Sequence, residues 1–132
     1  MVIEHVAIWT KNIERLKDYY SEYFSGEANE KHSNSKNQFE SYFLSFQSGS
    51  RLEIMSMIGI PENLNDRVCK QHLGIIHLAF EVSSTNEVDE MAERLRRDAH
   101  EILSGPRITG DGYYEFETLD PDNNRIEVTT KV

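Results

Sequence analysis

The chain has 132 residues, 38% of them hydrophobic and 28% charged, with a formal net charge of −9. That size and balance fit one globular domain, or two small halves sharing a core, and exclude a disordered chain. The acidic excess excludes a nucleic-acid surface, which needs clustered Lys and Arg, and Arg94, Arg96 and Arg97 read as a solvated helix face.

No apolar run approaches the roughly 18 residues of a membrane span, so no membrane partner is expected. The opening MVIEHVAIWT lacks the basic start and long apolar stretch of a signal peptide. Cys69 is the single cysteine and has no internal disulfide partner. The expected compartment is the cytoplasm.

The first predicted strand is VIEHVAIW, Val2 to Trp9. TKNIERLKDYYSEYF follows with Ile13, Leu16, Tyr20 and Phe24 at helical spacing, and Gly26 is placed to end that helix. The polar stretch NEKHSNSKNQ leads to the strand FESYFLSF, and QSGS turns the chain into RLEIM. An irregular linker over 57–73 contains Pro61, Cys69 and His72. The second half opens with the strand GIIHLAFEV, Gly74 to Val82. The helix after it, SSTNEVDEMAERLRRDA, has Ser84 or Thr85 as its cap and Val88, Met91, Ala92 and Leu95 as its apolar stripe. EILSGPRITGDG reads as a weak strand plus a Gly-rich loop. YYEFETL and RIEVTT, joined by the turn DPDNN, close the chain.

These elements repeat. VIEHVAIW aligns with GIIHLAFE, and FESYFLSFQSGSRLEIM aligns without a gap with YYEFETLDPDNNRIEVT. The pattern predicts an α+β fold of two tandem β-α-β-β-β modules, residues 1–56 and 74–132. Side chains alternate faces along a strand. In the first strand Val6 and Ile8 oppose His5, and in its repeat Leu78 and Phe80 oppose His77. In RLEIM, Leu52 and Ile54 oppose Glu53; in RIEVT, Ile126 and Val128 oppose Glu127. Each module thus predicts one apolar face for its helix and one face carrying a His and a Glu.

A strand carboxylate between apolar neighbours is costly to bury without a partner. Two carboxylates with two frame-matched imidazoles have a common partner in a divalent cation. The donor set His5, Glu53, His77 and Glu127 suits Zn, Ni, Co, Mn or Fe better than the harder Ca or Mg. Such a metal, with coordination positions left open, polarises a carbonyl and stabilises an enediolate.

EHVAIWT, RLEIM, IIHLAFEV, SGPRITGDGYYEF and DPDNNRIEV resemble the vicinal oxygen chelate superfamily, the glyoxalase, bleomycin-resistance and extradiol dioxygenase group, over nearly the whole chain. The resemblance implies modules of curved sheet enclosing a metal cleft, with His5, Glu53, His77 and Glu127 as ligands, and a homodimer whose sites lie within one chain or across two. The full His-Glu-His-Glu set looks most like lactoylglutathione lyase. The chain departs from that pattern where an Arg and an Asn hold glutathione: these positions are Trp9 and Met57. The metal chemistry is therefore better supported than glutathione as the carrier.

The resulting expectation is a metal-dependent lyase or isomerase of a small oxygenated carbon acid. Glu127 is the leading proton carrier, with Glu53 as the alternative. Arg107 is a candidate partner for an anionic substrate group, and Trp9, Tyr42 and Tyr114 are candidate pocket residues. Arg51 and Arg125, two residues before each Glu, read as supporting partners or sheet-end salt bridges, and His32 and His100 as solvent-exposed. The alternatives are a sequestering protein of the bleomycin-resistance type, or a metal-dependent transferase or dioxygenase of the same superfamily.

Overall fold

A computed structural model describes residues 1–132. The chain divides into two compact units, Met1–Asn63 and Leu64–Val132. No helix is long and apolar enough to cross a membrane.

In the first unit, β1 (His5–Trp9) leads into α1 (Ile13–Phe24). Two short strands follow, β2 (Glu27–Ala28) and β3 (His32–Asn34), then β4 (Phe39–Ser45) and β5 (Arg51–Ser56). The sheet order is β1-β5-β4-β2, with β3 also paired to β4. β1 runs parallel to β5, because a helix rather than a hairpin carries the chain between the first and later strands. The second unit has β6 (His77–Glu81), α2 (Thr85–Arg97), β7 (Ile102–Ile108), β8 (Tyr113–Leu119) and β9 (Arg125–Lys131). Its order is β6-β9-β8-β7, with β6 parallel to β9.

Each helix packs its apolar stripe on the apolar face of its own sheet. Ile13, Leu16, Tyr19 and Tyr20 of α1 are buried with Leu44, Leu52 and Ile54. Val88, Ala92 and Leu95 of α2 are buried with Phe116, Ile126 and Val128. Burial of each Leu, Ile, Val or Phe among them stabilises by about 1.5–3 kcal/mol.

Caps set the helix ends. The Asn12 side chain accepts from the Arg15 amide at 3.0 Å, and the Ser84 hydroxyl accepts from the Glu87 amide at 3.2 Å. Glu87 in turn accepts from the amide and hydroxyl of Ser83, which hold its carboxyl below the usual range. α1 ends at Ser25 in the left-handed conformation (φ 56), one residue before the predicted glycine, and the Gly26 amide donates to the Tyr20 carbonyl.

Several predicted boundaries shift. β1 starts at His5 rather than Val2, and β6 at His77 rather than Gly74; Val2, Ile3 and Ile75 are exposed. The segment after α1 contributes β2, and the polar stretch that follows contributes β3; their exposed side chains offer no hydrophobic alternation to read. SGPRITG is not an open loop: Ser104 to Ile108 belong to β7, which pairs with β8 through two register shifts. Gly105 makes this possible, since its φ is +85 and a Cβ there would lie 2.5 Å from the Glu115 carbonyl oxygen. His100 is half-buried rather than exposed.

The Ser84 cap provides a direct check on the local logic of α2. Ser84→Ala is expected to lower stability by about 1 kcal/mol, read as a shift in urea midpoint with unchanged m-value.

Candidate functional site

The parallel pairing of first and last strands sets one register in both units. His5 lies opposite Arg51 and Ala7 opposite Glu53; His77 lies opposite Arg125 and Ala79 opposite Glu127. A His and a Glu therefore meet diagonally across neighbouring strands, on the side away from the helix. His5 Nε2 is 3.6 Å from Glu53 Oε2, and His77 Nε2 is 3.6 Å from Glu127 Oε2. The side-chain exposures match as closely: 39% and 15% in the first pair, 36% and 16% in the second. In both units the imidazole edge reaches solvent and the carboxylate is set back between strands.

Each pair offers one imidazole nitrogen and one carboxylate oxygen, a donor combination that fits a borderline divalent metal. Neither unit gathers a third His, Cys, Asp or Glu into a metal-holding group with its pair. One pair is thus two donors, fewer than the three protein ligands usual at a catalytic metal.

The flanking arginines serve the sheets. The Arg51 Nε donates to Glu4 at 2.7 Å, and its guanidinium lies 4.2 Å above the Phe43 ring. Arg125 is buried, donating to Glu117 at 2.9 Å and to the Arg67 and Val68 carbonyls. The His5 ring also bonds Glu4 and packs edge-on to Phe43 at 5.3 Å.

Trp9 sits on the same side of its strand as His5, 41% exposed, with its ring 6.2 Å from Phe39. The other two candidate pocket residues, Tyr42 and Tyr114, lie on the helix side of their sheets. Tyr42 stands opposite Ile54 in register, on the helix side, and its hydroxyl donates to Glu14 of α1 at 3.0 Å. Tyr114 likewise faces α2, donating to Asp89 at 2.8 Å, a bond that raises its pKa. Arg107 is on a strand, where it bonds the Ser104 hydroxyl and lies 3.4 Å from Glu115; its charge is already met within the protein.

In the second unit the open face carries a cleft of about 360 Å³, open to solvent, that sequence reading missed. Glu127 lines it together with Glu81, Asp111, Tyr113, Glu115 and Thr129. Glu115 is buried beside Glu127; burial first, and then the Glu127 charge, push its carboxyl pKa upward. The signal was available only through register: Glu115 opposes Thr129 and Glu117 opposes Glu127, so odd-numbered residues of β8 share the Glu127 face.

Two sheets, each closed by a parallel first-to-last strand pair carrying the same His–Glu couple, define a duplicated β-α-β scaffold with a polar working face. The chain belongs to the Glyoxalase/Bleomycin resistance protein/Dioxygenase superfamily, whose profile matches residues 2–128. It is 36% identical over 59 residues to the uncharacterized protein YqjT of Bacillus subtilis. That match covers 42% of this chain and 46% of the relative, so it spans about half of each.

Among solved structures, the trypanothione-dependent glyoxalase I of Leishmania major is similar at 20% identity and a TM-score of 0.74, covering 97% of this chain and 85% of that one. A point mutant of the fosfomycin resistance protein FosX from Listeria monocytogenes, complexed with Mn(II) and a dihydroxypropylphosphonic acid, is similar at 21% identity and a TM-score of 0.72. There the match covers 98% and 92% of the two chains. These likenesses establish the fold.

The helix-side placement of Tyr42 has a measurable counterpart. The bond from Lys31, aided by Lys17 and Tyr42, holds the Glu14 carboxyl at about 2, against an ordinary value of 4.5. A depressed folded-state pKa stabilises above the unfolded value and ceases to do so as pH falls through the folded one. Carboxyl NMR is expected to show Glu14 titrating near pH 2 in the wild type, and nearer 4.5 in Lys31→Gln. The acid limb of the stability curve between those values should flatten in the variant.

Proposed function

We propose that the protein is a divalent-metal-dependent enzyme, a lyase or isomerase of a small oxygenated carbon acid, with His5, Glu53, His77 and Glu127 as the metal ligands. One observation carries this reading: the His–Glu couple recurs at 3.6 Å, in the same register and with closely matched exposure, in two sheets where Trp9, Ser41, Phe43 and Met55 of one open face are replaced by Glu81, Glu115, Glu117 and Thr129 of the other. Duplication with divergence explains shared backbone, but retention of one polar pair against the cost of setting a carboxylate among apolar strands needs a common function. The Mn(II) in the FosX complex and the glyoxalase activity named for the Leishmania enzyme are properties of those proteins that support the reading here.

When bound, the metal supplies Lewis-acid stabilisation of developing enolate charge. The chain's own part is proton movement. Glu127 is our candidate for it, because it lines an open cleft that a substrate C–H can approach, with Glu115 beside it. His77, at 3.6 Å, is the near neighbour of the same carboxylate. Glu53 stands in the matching position of the first unit as a ligand. Trp9 and Met57, where a glutathione-binding site would place an Arg and an Asn, favour a substrate other than a glutathione adduct.

The test joins metal analysis to turnover. Protein purified without added chelator is expected to hold a divalent metal, and His5→Ala or His77→Ala to lose it. With methylglyoxal and a panel of thiols as substrates, Glu127→Gln that still binds metal should lower kcat by about 10²-fold or more. An unchanged rate in that variant removes Glu127 from proton transfer. Wild-type protein that holds no divalent metal overturns the enzyme reading and leaves sequestration of a small molecule.

A further inference from the structure

The two frame-matched arginines ahead of the Glu residues have different surroundings, and the difference traces to one turn. Arg51 and Arg125 stand opposite His5 and His77 in register. The Arg51 side chain is 40% exposed and meets Glu4, the residue just before His5. The Arg125 side chain is 8% exposed. Besides Glu117, it donates to the carbonyls of Arg67 and Val68, each at 3.4 Å, so a turn of the preceding segment lies on it. The Lys70 amide closes that turn on the Asp66 carbonyl at 3.1 Å, and the Cys69 amide donates to the Asp66 carboxylate at 3.0 Å.

Arg67 fastens the turn from the other side. Its guanidinium donates to the Asn124 side-chain oxygen at 2.5 Å and to the Asp122 carbonyl at 2.7 Å. The receiving loop is itself tied: Asp120 accepts from the Asp122 and Asn124 amides at 2.9 and 2.8 Å, and from the Asn124 side chain at 2.8 Å. A planar fork of donors on two acceptors fixes direction as well as distance. From Val68 the chain runs through residues 69–76 to His77, the register partner of Arg125. Both ends of this loop therefore meet at Arg125. The loop has little hold of its own, since Leu73 and Ile75 are exposed and Ile76 stands where the first unit has Glu4. β6, which it feeds, is an end strand of five residues paired with β9. The first unit pins the same place directly, with the Ser50 hydroxyl on the Ile3 carbonyl at 2.6 Å and Arg51 on Glu4.

We infer that Arg67 is a positioning residue for His77. It pins the upstream end of the loop at the point where β6 docks, and so keeps the imidazole 3.6 Å from Glu127. Tethering both ends of a segment at one point reduces the conformational freedom that docking has to overcome. The inference rests on the reading of His77 and Glu127 as a working pair, and adds a residue outside the pair that keeps it assembled. Loss of the Arg67 side chain leaves the Arg125–Glu117 ion pair in place.

The experiment is amide hydrogen exchange and imidazole NMR of the full, metal-free chain, with the first unit as internal control. The Val82 amide donates to the Thr129 carbonyl, which sets the Leu78 and Phe80 amides toward β9. In Arg67→Ala these two are expected to exchange about tenfold or more faster, and the His77 ring protons to broaden or move, with Val6, Ile8 and His5 unchanged. Arg67→Lys keeps the charge without the fork and should fall between; it also carries the test if Arg67→Ala does not fold. Exchange at wild-type rates in both variants, or an equal change in the two units, overturns the inference. Faster exchange with an unmoved His77 resonance makes Arg67 structural only and overturns it as well. A wild type that holds no divalent metal overturns the proposed enzyme and leaves this comparison intact; a metal-bound wild type whose variants keep wild-type exchange overturns the Arg67 role alone.

Discussion

The parallel pairing of the first strand of each unit with its last is the constraint on which the site depends. Parallel strands place side chains in fixed diagonal relation, and a one-residue slip would send the imidazole and the carboxylate to opposite faces. In β1–β5 and β6–β9 the register is held by the apolar residues on the reverse side, Leu52 and Ile54 or Ile126 and Val128, which lie under α1 or α2. The hydrophobic effect on one face thus positions polar chemistry on the other. Sites built this way are more exact in placement than sites on loops, since the ladder fixes the backbone and packing fixes the face.

Around that constant pair the two units have taken different compositions. The first surrounds its couple with aromatic and sulfur-containing side chains: Phe43 against His5, Phe39 against Trp9, and Met55 two residues beyond Glu53. The second surrounds its couple with carboxylates and hydroxyls around a cavity. Duplication gives such a chain two equal scaffolds, and the open face of each is free to vary because it contributes little to the core under its helix. The divergence is concentrated where the fold tolerates it.

Alternation along single strands was enough to read both His–Glu couples, because His5, Glu53, His77 and Glu127 each interrupt an apolar period of two. The repeat, the α+β class and the helix stripes were legible for the same reason. Tyr42 and Tyr114 were not, since which face a tyrosine takes depends on cross-strand register, and register here is set by turns 46–50 and 120–124 that no hydrophobic pattern encodes. Arg107 was misread because Gly105 and Pro106 signal a loop, whereas they accommodate a bulged edge strand against β8. Glu115 and Thr129 escaped for want of a tertiary neighbour: each is an ordinary strand residue until the sheet brings them opposite one another.

β1 and β6 each lie at the end of their sheet in the strand order, although each is the first strand of its unit in the chain. Their docking on β5 and β9 closes the longest loop in either unit, and long-range parallel closure is the slow kind of contact to form. The imidazole of each couple meets its carboxylate only when the first and last strands of the unit have paired. Whatever ligand spans a couple binds only the completed unit, and its binding free energy adds directly to the stability of that final strand. Completion of each sheet and formation of its His–Glu couple are one event.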